Sequence, residues 1–263
     1  MGTWTIFVPW SETERAKRRL FYTLLTLKLP LGPSEDKHGL RFRLLADERV
    51  DTGSVEPPSQ DAVVIGHEQG QLTLNVAEAD DVHREAMRNR LSEPYRTMLG
   101  HLRHEVGHFY WYRLVENTEL IDDFRALFGD EQADYAAALA AHYGRTPTEG
   151  WQESFVSFYA SAHPWEDFAE TWAHYIHIVD TLETAHDSRL GLAGRDVTAP
   201  LPLAAERPFT AMLNDWLPLT VALNQLNRSM GMRDAYPFAL TDRVVDKLAF
   251  VHRVCLDAAA RAR

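Results

Sequence analysis

The chain has 263 residues, 27 Lys and Arg against 38 Asp and Glu, and a formal net charge of −11. With 45% apolar and 25% charged residues it is globular in composition, and at 30.0 kDa it is long enough to enclose one sizeable core. The acidic balance (isoelectric point about 5.5) argues against nucleic acid as a partner, and the single Cys255 excludes an internal disulfide framework and a cysteine-ligated zinc ribbon.

In chain order, residues 1–10 read as a short aromatic segment that precedes the first helix. Ser11 is placed to cap that helix, with Glu12 and Glu14 in its first turn. Leu20, Phe21, Leu24, Leu25 and Leu27 form its apolar face, and Pro30 and Pro33 are placed to stop it. Residues 41–46 alternate basic with apolar and predict a strand. Residues 51–60, rich in Gly, Pro and Ser, predict a loop. Residues 62–67 and 72–76 flank Glu68-Gln69-Gly70 and predict a hairpin. Beyond Ala77 the period turns helical, with helices expected near 81–91, 94–116, 119–128, 131–143, 150–161, 165–186, 208–228 and 241–260. Residues 191–207 are rich in Gly, Pro and Ala and predict a surface loop. A small sheet followed by a helical body is an α+β arrangement. No run of about 18 apolar residues occurs and no basic segment precedes an apolar run at the start, so a cytoplasmic location without a membrane partner is expected.

One stretch carries chemistry: His101-Leu102-Arg103-His104-Glu105-Val106-Gly107-His108. It contains HExxH. Two histidines four apart lie on one helical face, so both imidazoles can reach one tetrahedral metal ion, with Glu105 one residue further round. A carboxylate there can take a proton from a water activated by the metal and pass it to a leaving amine. Gly107 costs about 1 kcal/mol in helix propensity, which a close backbone approach would justify.

A catalytic zinc needs a third protein ligand. Further along, Glu166, Glu170, His174 and His177 recur on one helical face, so that face carries potential ligands or their supports. Phe168, Trp172, Tyr175 and Val179 point the other way, into a core. His163, just ahead of this helix, is a candidate hydrogen-bond donor to a transition state. His101 reads as a polar helix residue. The aromatic residues Phe124, Phe128, Trp151, Phe155 and Phe158 recur at helical spacing and read as core. The alanine-rich run 136–141 carries no chemistry of its own.

HExxH followed at long range by Glu166-Asp167-Phe168-Ala169-Glu170 resembles the gluzincin zinc metallopeptidases, especially their anthrax-lethal-factor-like branch. That resemblance implies Glu166 as the third ligand, Glu170 as the carboxylate that orients a ligand histidine, and Tyr159 as an oxyanion donor. The run from about residue 12 to 192 is similar to a bacterial family of zinc-binding metallopeptidases of unknown substrate. The similarity includes Glu93-Pro94-Tyr95-Arg96 and Tyr159-Ala160-Ser161-Ala162-His163-Pro164-Trp165-Glu166. Members commonly carry a four-cysteine zinc ribbon ahead of this region, which one cysteine cannot build.

These readings combine into a zincin-like catalytic domain over 11–192 with a helical extension over 193–263 packed on it. His104, His108 and Glu166 are expected to bind one Zn²⁺ per chain, and Glu105 to act as general base. Tyr159 is expected to donate to the oxyanion, with His163 or His174 in support, and Glu170 to orient a ligand histidine. The substrate is expected to be a peptide or protein held by β-addition along residues 72–76. A zinc hydrolase of a non-peptide amide or small molecule, or a non-catalytic zinc scaffold, would show the same ligands.

Overall fold

The computed structural model describes residues 4–32, 39–45, 66–68, 71–75, 97–192, 194–203 and 207–262. The first helix, α1 (Trp4–Thr26), already includes the segment expected to precede it, so the boundary at residue 10 falls inside a helix. Once a helix is nucleated each further residue adds a hydrogen bond, and a residue able to cap does not by itself force a start. Ser11 is therefore an interior residue. The stop also differs from expectation. Lys28 adopts a left-handed conformation (φ 56°) while Leu29 N–H donates to Leu24 and Lys28 N–H to Leu25, a Schellman turn that ends the helix before either proline.

Three strands follow: β1 (Arg41–Leu45), β2 (Gly66–Glu68) and β3 (Gln71–Asn75). The expected hairpin is the antiparallel pair β2–β3, with Gly66 opposite Thr73. β1 adds to the other edge of β3 in parallel, Arg41 opposite Gln71, so the order is β1-β3-β2. The Phe21 and Phe42 rings, 5.4 Å apart, attach the sheet to α1, and Leu72 of β3 is fully buried in the core. The expected loop at 51–60, the helix near 81–91 and the motif Glu93-Pro94-Tyr95-Arg96 lie outside the described residues.

The helical body comprises α2 (Met98–Leu114), α3 (Ile121–Phe128), α4 (Tyr135–Tyr143), α5 (Pro164–Asp187), α6 (Phe209–Ser229) and α7 (Asp242–Arg261). Side-chain caps set several starts: Thr97 accepts from Gly100 N–H at 2.9 Å, Asp134 from Ala137 N–H at 3.0 Å and Thr241 from Val244 N–H at 3.4 Å. The helix expected over 150–161 is replaced by two 3₁₀ turns, Trp151–Glu153 and Tyr159–Ala162. Tertiary donors take the carbonyls that an α-helix would use. Thr241 Oγ1 donates to Glu153 C=O at 3.0 Å and Lys247 Nζ to Ser154 C=O at 2.7 Å. Within the expected loop at 191–207, β4 (Gly191–Leu192) and β5 (Arg195–Asp196) form a small hairpin.

α5 runs through the centre. Its Phe168, Trp172, Tyr175 and Val179 are fully buried, as the periodicity predicts, and Trp172 stacks on Tyr110 of α2 at 4.8 Å. One contiguous core extends from Leu20 in α1 to Ala258 in α7, so the helices after residue 192 share the core of the helices before it. Two buried charge clusters fix how the helices dock. Asp180 of α5 receives Arg103 from α2 together with Arg19 and Thr23 from α1. Asp167 of α5 receives Lys247 from α7 at 2.6 Å. Losing one partner of such a pair would leave a buried charge uncompensated, a cost of about 3–5 kcal/mol.

Candidate metal centre

α2 and α5 cross where neither side chain intervenes. A Cβ at Gly107 would stand 2.9 Å from Ala169 Cα and 3.1 Å from Trp172 Cβ, so Gly107 is what lets the two backbones meet. That approach carries Glu166, in the first turn of α5, onto the HExxH face of α2. His104 Nε2 lies 3.0 Å from Glu166 Oε2 and 3.2 Å from His108 Nε2, and His108 Nε2 lies 3.5 Å from Glu166 Oε2. Ligands at about 2.0–2.1 Å from a tetrahedral zinc stand about 3.3 Å from one another, which these three separations bracket. All three residues are buried, and among the described residues they form the one His/Asp/Glu group compact enough to hold a metal ion. Glu166 Oε2 is buried without a hydrogen-bond donor, an arrangement that a cation would complete. The donor set, two imidazole nitrogens and one carboxylate, suits zinc.

The surroundings fix each ligand. His104 Nδ1 meets Glu170 Oε1 at 2.6 Å, and Ser157 Oγ donates to Glu170 Oε2 at 2.6 Å, so Nε2 of His104 is left to face the cluster. Ser157 also accepts from Ala160 N–H at 3.1 Å, which ties the second 3₁₀ turn to the site. Glu166 Oε1 accepts the Tyr135 hydroxyl at 2.6 Å. Trp165 packs its ring 4.3 Å from that of His108. Burial pulls the Glu166 carboxyl upward, but His108 and His104 outweigh it and hold its pKa well below the usual carboxylate range. Burial opposes a charge on His104 as well, yet Glu166 and Glu170 outweigh it and raise its pKa well above the ordinary value.

Glu105 is buried beside this cluster, with Oε1 3.7 Å from His101 Nε2 and Oε2 lacking any hydrogen-bond donor. The Tyr159 ring centroid stands 5.9 Å from that of His104. Burial first, then Glu166 and neighbouring tyrosines, raise the Tyr159 pKa well above 10, which keeps its hydroxyl a donor.

Other sequence-predicted residues are placed elsewhere. His163 caps α5, its Nδ1 accepting from Trp165 N–H at 3.1 Å while Nε2–H donates to Ala133 C=O at 3.1 Å. Both ring nitrogens are committed to backbone, so no N–H remains for an oxyanion and the expected donor role does not fit. His174 is fully buried, with Nδ1 2.8 Å from the Tyr236 hydroxyl and its ring edge against Phe238. His177 Nδ1 accepts from Arg103 at 3.3 Å. Sequence reading missed Tyr135 and Ser157. Tyr135 begins a helix whose composition is mostly alanine, and Ser157 lies in a stretch read as helix, so neither carried a local signal.

Residues 7–254 match the protein family described as "Putative zinc-binding metallo-peptidase". The chain is 47% identical over 247 residues to an uncharacterized protein of Mycobacterium bovis and to uncharacterized proteins of two Mycobacterium tuberculosis strains, spanning 93% of this chain and 69% of each relative. No solved structure matches it. The converging His104, His108 and Glu166 lie within the matched residues, and the chain belongs to this zinc-binding metallopeptidase family.

Proposed function

We propose that the protein hydrolyses peptide bonds with one zinc ion held by His104, His108 and Glu166. The observation that carries this reading is a second buried carboxylate, Glu105, which follows His104 in the same helix and whose Oε2 has no hydrogen-bond donor, alongside three converging donor atoms. A structural zinc site closes its coordination with protein ligands and has no use for a free base. Bound zinc would supply Lewis acidity, polarising the scissile carbonyl and acidifying a water molecule. Glu105 Oε2 takes that water's proton and delivers it to the departing amine. Tyr159 donates its hydroxyl to the developing oxyanion, kept protonated by its burial. Glu170, fixed by Ser157, holds His104 with Nε2 toward the metal.

The strand expected to hold the substrate needs correction. β3 lies between β1 and β2, and its residues 71–73 are paired on both sides, so the described part of that strand offers no free edge over those residues. β2 is an edge of the described sheet and is the strand next to α2, so β-addition by an extended peptide belongs there.

Two measurements test the reading. Elemental analysis should find about one zinc per chain in the wild type and in His177→Ala, and clearly less in Glu166→Ala. Equal zinc in all three would move the third ligand away from Glu166. Mass spectrometry of a peptide mixture should show cleavage by the zinc-loaded wild type and none by Glu105→Gln. Equal cleavage by both would overturn the role of Glu105.

A further inference from the structure

A cavity of about 420 Å³ opens beside the metal ligands. Three of its lining residues belong to the site's immediate surroundings: Tyr135, bonded to Glu166, Trp165, packed on His108, and His163, the cap of α5. Its aromatic wall is continuous. Trp165 makes edge contacts with Trp111 at 6.2 Å, Tyr112 at 5.2 Å and Tyr135 at 5.7 Å between ring centroids. Three charged side chains also line it, and they are not equivalent. Arg125 and Glu131 close on each other through two hydrogen bonds, of 3.0 and 2.5 Å, and so neutralise one another. The Glu116 carboxylate has no hydrogen-bond or ion-pair partner among the described residues. Partial burial, then Glu131, raise its pKa.

We infer that this cavity receives the basic side chain, lysine or arginine, of a residue flanking the scissile bond, with the aromatic wall covering its aliphatic stem and Glu116 meeting its charge. This assignment rests on the peptidase reading above. An aromatic wall alone would accept any apolar group. The unpaired carboxylate sets the sign: it favours a cation, which the electron-rich ring faces also attract, and disfavours an anion. Arg125 offers no competing anion site because Glu131 occupies its guanidinium on two nitrogens. The overall charge of −11 also draws basic peptides toward the molecule.

The test reads binding and cleavage separately. Zinc-loaded ¹⁵N-labelled protein is titrated with N-acetyl-lysine methylamide, its norleucine counterpart and its glutamate counterpart, following the indole N–H signals of Trp111 and Trp165. The lysine probe should bind at least about fivefold more tightly than the norleucine probe, the glutamate probe should bind most weakly, and Glu116→Gln should remove the lysine preference. Equal binding of lysine and norleucine probes, or a lysine preference that survives in Glu116→Gln, overturns the inference. In the cleavage profile of a peptide mixture, Lys or Arg should be enriched at one position beside the cut, and that enrichment should be absent from the bonds that Glu116→Gln cuts. Cleavage without such enrichment overturns the inference and leaves the peptidase reading standing. Glu116-dependent lysine binding with no cleavage of any peptide preserves the cation site and overturns the peptidase reading instead.

Discussion

In the proposed mechanism, single side chains at the cluster separate holding the metal from moving the proton. Glu105 touches neither His104 nor His108 through a hydrogen bond, so Glu105→Gln should keep about one zinc per chain while hydrolysis falls about 10²–10⁴-fold. Parallel metal analysis and rate measurement check this; loss of zinc in the variant would make Glu105 a ligand rather than a base. Tyr135 acts one atom further out, on the Glu166 oxygen that does not face the histidines. Tyr135→Phe removes that hydrogen bond and should weaken zinc binding about tenfold, read by competition with a chelator. Unchanged affinity would restrict Tyr135 to lining the cavity. HExxH and the Glu166–Glu170 pair are legible in the sequence because each is a local spacing on one helix. Tyr135 is not, since its partner lies 31 residues away and its own helix gives no hint of it.

At the scale of elements, the site exists because α2 and α5 approach backbone to backbone. Gly107→Ala would place a methyl group 2.9 Å from Ala169 Cα, where backbone cannot yield as a side-chain end could. The expected cost is about 1–3 kcal/mol despite the better helix propensity of alanine, seen as a lower urea midpoint. Zinc affinity should fall with it, because separating the helices withdraws Glu166 from the histidines. A variant as stable and as zinc-competent as the wild type would show that the contact is not limiting. The stretch between α4 and α5 makes the opposite point about local pattern. Its aromatic spacing reads as a helix, yet its carbonyls bond Thr241 and Lys247, and the resulting turns deliver Ser157 to Glu170.

Across the whole molecule, α5 is the axis on which the other helices depend, and it carries buried imidazoles that the fold keeps neutral. His174 is the clearest. Burial lowers its pKa to about 4, while Glu170 works against that shift and Arg103 with it. Tyr236 meets its ring, and it interacts electrostatically with neighbouring His177. A histidine depressed from 6.5 to about 4 contributes stability that is fully present above pH 6.5 and is lost as pH falls toward 4. His174→Gln removes this linkage. In zinc-free protein the stability difference between wild type and variant should therefore narrow by about 2 kcal/mol between pH 7.5 and pH 4.5, measured by urea unfolding. A difference that is constant with pH would show that His174 is not held neutral by the fold. No helix among the described residues is long and apolar enough to cross a membrane.

The α+β class, the position of most helices, the two histidines with Glu105 and the carboxylates of α5 are all legible before any folding is considered. Each of these is written in the alternation of a strand, in a period of 3.6 residues or in a spacing within one helix. Which residue of the α5 face converges with His104 and His108 is set by the packing of α5 on α2. His174 and His177 share the periodicity of Glu166 and Glu170, but one meets Tyr236 of a distant loop and the other Arg103 of α2. The fold likewise puts β3 between β1 and β2 in the described sheet, makes His163 a cap and brings Glu116 into the lining of the aromatic cavity. These depend on contacts between segments far apart in the chain, and a sequence pattern records the face of an element without recording what that face will meet.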